Sequence, residues 1–268
     1  MLHGCLQTAD DAARGTRLDE WADREGFVVL YPEQSLAAHV KRCWNWYVPS
    51  DIQRDSGEAG LLAALVDSVA AAHGIPQARI ALMGMSAGAA MAATLAMVYP
   101  DRYGALVMHS GVPAGVAHDV TSAVALMRTG GSSARSVEGP APAASRSPPL
   151  PVLLIHGLDD AVVAPANLDA VARQWTALTA GADGARALAP VEPASPRLPP
   201  VAGHLLTGRR SASIDGKVGV EWWTVGALGH AWSGGSPTGS FTDPSGPDAT
   251  ALAVSFLSEA WGRSHAAH

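Results

Sequence analysis

The pentapeptide Gly84-Met85-Ser86-Ala87-Gly88 has the spacing that places a serine hydroxyl on a sharp turn between a strand and a helix. Small neighbours let the chain turn tightly, and the serine then stays exposed as a nucleophile. In a chain with 28 glycines, the same pattern also fits a plain Gly-Ser turn. Because an apolar run precedes the pentapeptide and a run of small residues follows it, Ser86 is predicted to be a nucleophile.

An activated serine needs a general base and an acidic residue that orients the base. In proteins built around this turn, the acid and then a histidine follow the serine along the chain. Asp159 and Asp160 both follow the apolar run 152–155, and the residues alone leave both open as the acid. His230 comes later, in the glycine-rich segment 228–235, and is the predicted base. Structural roles are expected for three other histidines, His3, His109 and His156.

Attack by Ser86 on an ester would create a tetrahedral oxyanion, which needs preformed N–H donors. The backbone N–H of Ala87 is the first expected donor, since it follows the nucleophile. The second is expected from the loop His3-Gly4-Cys5, with the N–H of Cys5 as the candidate.

Short apolar runs separated by helical patterns must position these groups. The predicted strands are 27–31, 80–83, 105–108, 152–155 and 220–225. One predicted helix is capped by Ser56 and ends at Gly74, with an apolar stripe formed by Leu61, Leu62, Leu65, Val66 and Val69. Three other helices are predicted at 89–99, 165–175 and 248–261. Continuous apolar strands suit a mostly parallel sheet with helices on both faces. We therefore expect one α/β domain over residues 1–268, with surface loops at 129–151 and 180–200.

The composition excludes several classes of protein. Hydrophobic residues make up 48% of the chain and charged residues 16%, against roughly 25% charged in an average globular protein, which excludes a disordered chain. A net charge of −6 argues against a nucleic-acid partner. No histidine pair has metal-ligand spacing and two cysteines cannot form a zinc cage, so no metal or cofactor is predicted. The uncharged stretch 80–100 is interpreted as strand, turn and helix rather than a membrane span, and the N-terminus lacks a signal-peptide pattern.

Six short segments, taken in their order along the chain, carry a resemblance to a known family: Leu2-His3-Gly4-Cys5-Leu6-Gln7, Leu30-Tyr31-Pro32-Glu33-Gln34, Cys43-Trp44-Asn45-Trp46, Gly84-Met85-Ser86-Ala87-Gly88-Ala89-Ala90-Met91, His109-Ser110-Gly111 and Gly229-His230-Ala231-Trp232-Ser233-Gly234-Gly235. Together they resemble the polyhydroxybutyrate-depolymerase-like esterases of the α/β-hydrolase superfamily. The segment from His156 to Asn167 is similar to the acid motif of that family, in which Asp160 takes the catalytic place. The resemblance runs from Leu2 to the last helix, apart from the two loop segments.

The resemblance implies an α/β-hydrolase fold and hydrolysis of carboxylic esters through an acyl-enzyme, with Ser86, Asp160 and His230 as the catalytic triad. Short-chain hydroxyalkanoate esters are the implied substrates, with feruloyl or acetyl esters of polysaccharides as the alternative and no obligate protein partner. Relatives are commonly secreted, and a disulfide between Cys5 and Cys43 is implied, with two buried thiols as the alternative. A substrate-lining role for Trp44 and Trp232 is weighed equally against a place in the core.

The chain departs from the family at its start. Family members carry a strand, and usually two more, ahead of the His-Gly-Cys loop, whereas Met1 stands where the end of that strand belongs. We therefore expect a sheet that lacks its first strands, because of an internal start or a truncated gene. Two other functions stay open: a peptidase or acyltransferase that uses the same triad, and a non-catalytic remnant.

Overall fold

A computed structural model describes residues 1–131, 150–180, 189, 191–212 and 218–262. Most of the predicted loop 129–151 and part of the loop 180–200 lie outside these ranges. No helix in the described ranges is both long and apolar enough to cross a bilayer.

A six-stranded sheet forms the centre of the fold, with strands in the order β1-β2-β3-β6-β5-β4. Its strands are β1 (Ala81–Met85), β2 (Ala105–His109), β3 (Val152–Gly157), β4 (Glu192–Pro193), β5 (Leu206–Ala212) and β6 (Val218–Val225). The first four in spatial order run parallel, and β5 and β4 are antiparallel additions at one edge. The four parallel strands coincide with four of the five predicted strands. Two short strands, β7 (Trp232–Ser233) and β8 (Thr242–Asp243), pair outside this sheet.

Helices cover both faces of the sheet, as the fold class predicted. They are α1 (Ala9–Thr16), α2 (Leu18–Glu25), α3 (Gly57–His73), α4 (Ala87–Val98), α5 (Val120–Thr129), α6 (Ala166–Ala180) and α7 (Ala249–Ala260). Alternate strand residues enter two separate cores. Leu154, for example, packs with α3, α4 and α6, whereas Leu153 packs with α7. Trp222 and Trp223 divide between the two cores in the same way.

Three sequence expectations about these elements were wrong. Residues 27–31 form no ladder with any described strand. Instead Phe27, Val29 and Tyr31 pack against the core, and the Met1 nitrogen donates to Leu30 O at 2.7 Å. Ser56 occupies the cap position of α3, but its side chain does not cap the helix. The apolar stripe of α3 is only partly buried, because Leu61 and Leu65 face away from the core, with 74% and 41% exposure. Of the predicted stripe only Leu62 is fully buried, and it enters the core together with Ala59 and Ala63.

Candidate active site

Ser86 lies on the turn between β1 and α4. Its backbone has φ 55° and ψ −122°, a conformation that is rare for a residue with a side chain. Two glycines make room for the turn. A Cβ atom at Gly84 would lie 2.3 Å from Gly88 O, and one at Gly88 would lie 2.2 Å from Leu2 O. Ser86 is half-buried between buried neighbours, so the turn presents its side chain at the carboxyl end of β1.

Asp160 and His230 come together across the carboxyl ends of neighbouring strands. Asp160 follows β3, His230 follows β6, and these strands pair in parallel. His230 Nδ1 lies 2.8 Å from Asp160 Oδ2. Asp159, the other candidate for the acid, is exposed. The geometry therefore favours Asp160 over Asp159 as the partner of His230.

The surroundings of Asp160 keep it ionised. Burial alone would raise the pKa of this carboxyl, but the hydrogen bond and charge of His230 and the backbone N–H of Val163 outweigh burial and lower the pKa to about 2. Asp160 Oδ1 accepts the N–H groups of Val162 at 2.9 Å and Val163 at 2.8 Å. His156 Nε2 adds a contact of 3.5 Å to Oδ2. The two oxygens of the carboxylate are thus held separately: Oδ1 by two backbone N–H groups and Oδ2 by two histidine rings.

His109 joins the serine turn to the histidine loop. Its backbone oxygen accepts the N–H of Ser86 at 3.0 Å, and its Nε2 accepts the N–H of Ser233 at 3.3 Å. Within the described part of the chain, Ser86 Oγ has no hydrogen-bond partner. The hydrogen bond between Ser86 Oγ and His230 that a catalytic triad uses is therefore not formed in this structure. Such contacts commonly tighten only when substrate binds.

Two backbone N–H groups are free beside Ser86. Leu2 bridges to β1, with Leu2 N 2.8 Å from Met83 O and Met85 N 3.2 Å from Leu2 O, and this brings the next residues to the serine. A Cβ atom at Gly4 would lie 3.6 Å from Ser86 Cβ. Among the described residues, nothing accepts the N–H of Cys5 or of Ala87, which is the first residue of α4. Both expected oxyanion donors are therefore unpaired, and that of Ala87 lies at the N-terminus of α4, which favours negative charge.

The disulfide between Cys5 and Cys43 is present, with an S–S distance of 2.02 Å. It ties the Cys5 loop to the segment that carries Trp44. Trp44 Nε1 also donates to His3 O at 3.0 Å. Gln7 Oε1 accepts the N–H of Gly4 at 2.8 Å, so the loop is held from both sides.

Of the two roles weighed equally for Trp44 and Trp232, the structure places both rings in the core. Trp44 is 3% exposed and Trp232 is 1% exposed. Trp232 stacks on His109 with ring centroids 5.0 Å apart, and its Nε1 donates to Thr250 Oγ1 at 3.0 Å. Both indole rings therefore pack beneath the loops of the candidate site and are not exposed in this structure.

Sequence reasoning missed two buried side chains that support the site, Gln34 and Glu58. Gln34 Nε2 donates to Glu58 Oε1 and, at 3.2 Å, to Cys43 O. Glu58 also accepts the backbone N–H and the side-chain amide of Asn45, each at 2.7 Å. Burial raises the pKa of Glu58, while the bonds from Asn45 and Gln34 oppose that shift. Gln34 lay within a quoted motif, but no sequence signal linked it to a carboxylate far along the chain.

The fold and this arrangement of elements define the α/β-hydrolase class. Among solved structures, the acetyl xylan esterase from Aspergillus awamori superposes with a TM-score of 0.67 at 21% identity, covering 85% of this chain and 81% of that one. The structure of esterase PE8 superposes with a TM-score of 0.53 at 18% identity, over 96% and 89% of the two chains. At these identities the likeness establishes the fold alone.

The family is established by sequence. The model of the family described as Esterase PHB depolymerase matches residues 1–192. The poly(3-hydroxyalkanoate) depolymerase C of Paucimonas lemoignei is 34% identical over 179 residues, which cover 65% of this chain and 43% of that protein. The feruloyl esterase B of Thermothelomyces thermophilus is 29% identical over 189 residues, covering 65% and 62%. The chain belongs to the Esterase PHB depolymerase family, and it spans about half the length of these curated relatives.

Proposed function

We propose that this chain is a serine-dependent carboxylic-ester hydrolase with Ser86, Asp160 and His230 as its triad. The observation that carries the proposal is the 2.8 Å contact between His230 Nδ1 and Asp160 Oδ2 beside the strained serine turn. A carboxylate only accepts hydrogen bonds, so His230 carries its proton on Nδ1 and leaves Nε2 free to act as a base.

The reaction follows from these positions. Ser86 Oγ attacks the ester carbonyl carbon while His230 Nε2 takes the serine proton. The N–H groups of Cys5 and Ala87 donate to the resulting oxyanion. When the intermediate collapses, the C–O bond to the alcohol breaks and the alcohol leaves with the proton from His230. Water then attacks the acyl-enzyme with the same base, which releases the acid and restores Ser86.

Short-chain hydroxyalkanoate esters are the proposed substrates. The family and the identity to a poly(3-hydroxyalkanoate) depolymerase support this choice. Feruloyl or acetyl esters of polysaccharides are the second candidate, because a feruloyl esterase and acetylxylan esterases are also among the relatives. We also propose an extracellular location, which the disulfide supports because such bonds persist in oxidising compartments.

A fluorophosphonate probe tests the proposal, because only an activated serine displaces its fluoride. We expect the parent chain to be labelled and Ser86→Ala not to be labelled. Ser245→Ala is a matched control, since Ser245 is exposed and its Oγ lies 3.2 Å from His204 Nε2, yet it lacks a strained turn. Labelling that survives in Ser86→Ala would contradict the proposed nucleophile.

Substrate class requires a second measurement. Initial rates on 3-hydroxybutyrate oligomers, a feruloyl ester, an acetylated xylan and an amide substrate separate the candidates. Turnover of the oligomers above the other substrates supports the first choice, and amide cleavage would indicate a peptidase. A folded parent chain that takes no label would indicate a non-catalytic remnant.

A further inference from the structure

The peptide between Gly4 and Cys5 carries the N–H that is proposed to bind the oxyanion. Within the described residues all peptide bonds are trans, so the C=O and N–H of this peptide point in opposite directions. Its orientation is therefore fixed by whatever binds Gly4 O. His3 Nδ1 lies 2.8 Å from that oxygen, and the N–H of Gln7 donates to it at 3.3 Å. The shorter of the two bonds comes from the His3 ring.

The hydrogen bonds of His3 define its tautomer. Gly4 O can only accept, so Nδ1 must carry a proton. The backbone N–H of Gln34 donates to Nε2 at 3.0 Å, so Nε2 must be bare. The ring is fully buried and packs against Trp44, with ring centroids 5.2 Å apart. His3 is therefore neutral, with its proton on the nitrogen that faces Gly4 O.

The chain of contacts continues behind the ring. The side chain of Gln34, whose backbone holds Nε2, is fixed by Glu58 and by Cys43 O. Cys43 is in turn bonded to Cys5 through the disulfide. The His3 ring thus connects two parts of the structure: Nε2 contacts the buried network of Gln34 and Glu58, and Nδ1 contacts the peptide between Gly4 and Cys5.

We propose that His3 is a positioning residue: its Nδ1–H holds Gly4 O and thereby aims the N–H of Cys5 at the oxyanion beside Ser86. The inference rests on the proposed ester hydrolysis, and it assigns to His3 more than the structural role expected from sequence. His3 touches no reacting atom, so its effect is exerted through the geometry of one donor.

Two substitutions separate the donor from the rest of the ring. The amide nitrogen of Asn falls near the position of Nδ1, so His3→Asn can still donate to Gly4 O. The amide of Gln reaches the position of Nε2, so His3→Gln can still accept from Gln34 but leaves Gly4 O without the bond. Both variants lose the ring, which makes each the control of the other for lost packing.

We expect His3→Gln to lower kcat by about 10-fold or more with little change in KM, because loss of a whole oxyanion donor costs roughly 10²–10³-fold. His3→Asn should keep kcat within about threefold of the parent. The affinity of a boronic acid, whose adduct on Ser86 places an oxygen between the donors, should fall in parallel with kcat. Melting temperatures of both variants show whether each one folds.

Equal losses of kcat in the two variants, or a larger loss in His3→Asn, would overturn the inference while leaving the proposed function intact. A parent chain that turns over no ester would instead remove the proposed function on which the inference rests. If neither variant folds, ¹⁵N shifts of the His3 ring in the parent chain decide, because a proton on Nε2 is incompatible with the proposed bond to Gly4 O.

Discussion

At the scale of single residues, the protonation state of each site group follows from its neighbours. Asp160 is ionised because three N–H groups point at it, and its charge then selects the Nδ1–H tautomer of His230. His3 is held in the same tautomer by a carbonyl on one side and an N–H on the other. Hydrogen bonds thus define the proton positions of both rings, as the proposed reaction requires.

Asp160→Asn tests the first of these relations. An amide can meet His230 Nδ1 with an N–H, which favours the wrong tautomer and removes the base. In Ser-His-Asp enzymes such a change costs about 10⁴-fold in kcat, and we expect a loss of this order with little change in KM, measured on a soluble short-chain ester. Asp159→Asn is the control, because that side chain is exposed. A comparable loss in the control would assign the acid to Asp159.

At the scale of elements, the site is built where four parallel strands end. β1 delivers Ser86, β2 delivers His109, and β3 delivers Asp160, while the loop after β6 brings His230. The segment at Leu2 then packs across the start of α4. That contact depends on Gly88, since its missing side chain is what lets the backbone of Leu2 and His3 approach the helix.

Gly88→Ala should therefore displace the loop that carries Cys5. Its Cβ would lie 2.2 Å from Leu2 O and 2.5 Å from His3 O, both backbone atoms that cannot turn aside. We expect kcat to fall by about 10²-fold, in the range for loss of one oxyanion donor, and the melting temperature to fall as well. Gly226→Ala is the control, because its Cβ would have no neighbour closer than 3.4 Å. Unchanged kcat in Gly88→Ala would exclude the loop as a donor.

The sequence predicted these elements where apolar runs and small-residue turns were continuous. The runs before Ser86 and Asp160 became β1 and β3 because they are buried on both faces. Sequence reasoning did not predict β5, because its segment Leu206–Ala212 contains two arginines and lacks a continuous apolar run. This strand lies near the sheet edge, where some of its side chains reach solvent. Sequence reasoning also failed for residues 27–31, since β propensity cannot supply a strand partner.

In the site, the types and order of residues were predictable, but their burial and proton positions were not. Trp44 and Trp232 flank segments of the candidate site in the chain, yet their indole N–H groups find partners inside the core. Sequence spacing carries no information about which way such a ring turns. The choice between Asp159 and Asp160, which the residues left open, required the hydrogen bond to His230.

At the scale of the whole molecule, three buried neutral histidines make stability depend on pH. Burial is the largest cause that lowers the pKa of His3, His109 and His156, and the pKa of His109 falls to about 3. In the unfolded chain a histidine has a pKa of about 6.5. Below that pH the unfolded state binds protons that the folded state does not bind, so the histidine contribution to stability is fully present above about pH 7 and is lost as pH falls.

We therefore expect the free energy of unfolding, measured in urea, to fall most steeply from pH 6.5 to 5, where the unfolded chain protonates these histidines. Each histidine that is protonated only in the unfolded state contributes a slope of up to about 1.4 kcal/mol per pH unit to the free energy of unfolding. His109→Asn should lower stability at pH 8 but flatten this slope, because one such histidine is gone. His118→Asn changes an exposed ring and should leave the slope unchanged. If His109→Asn keeps the parent slope, the buried ring titrates in the folded state, and another group causes the acid sensitivity.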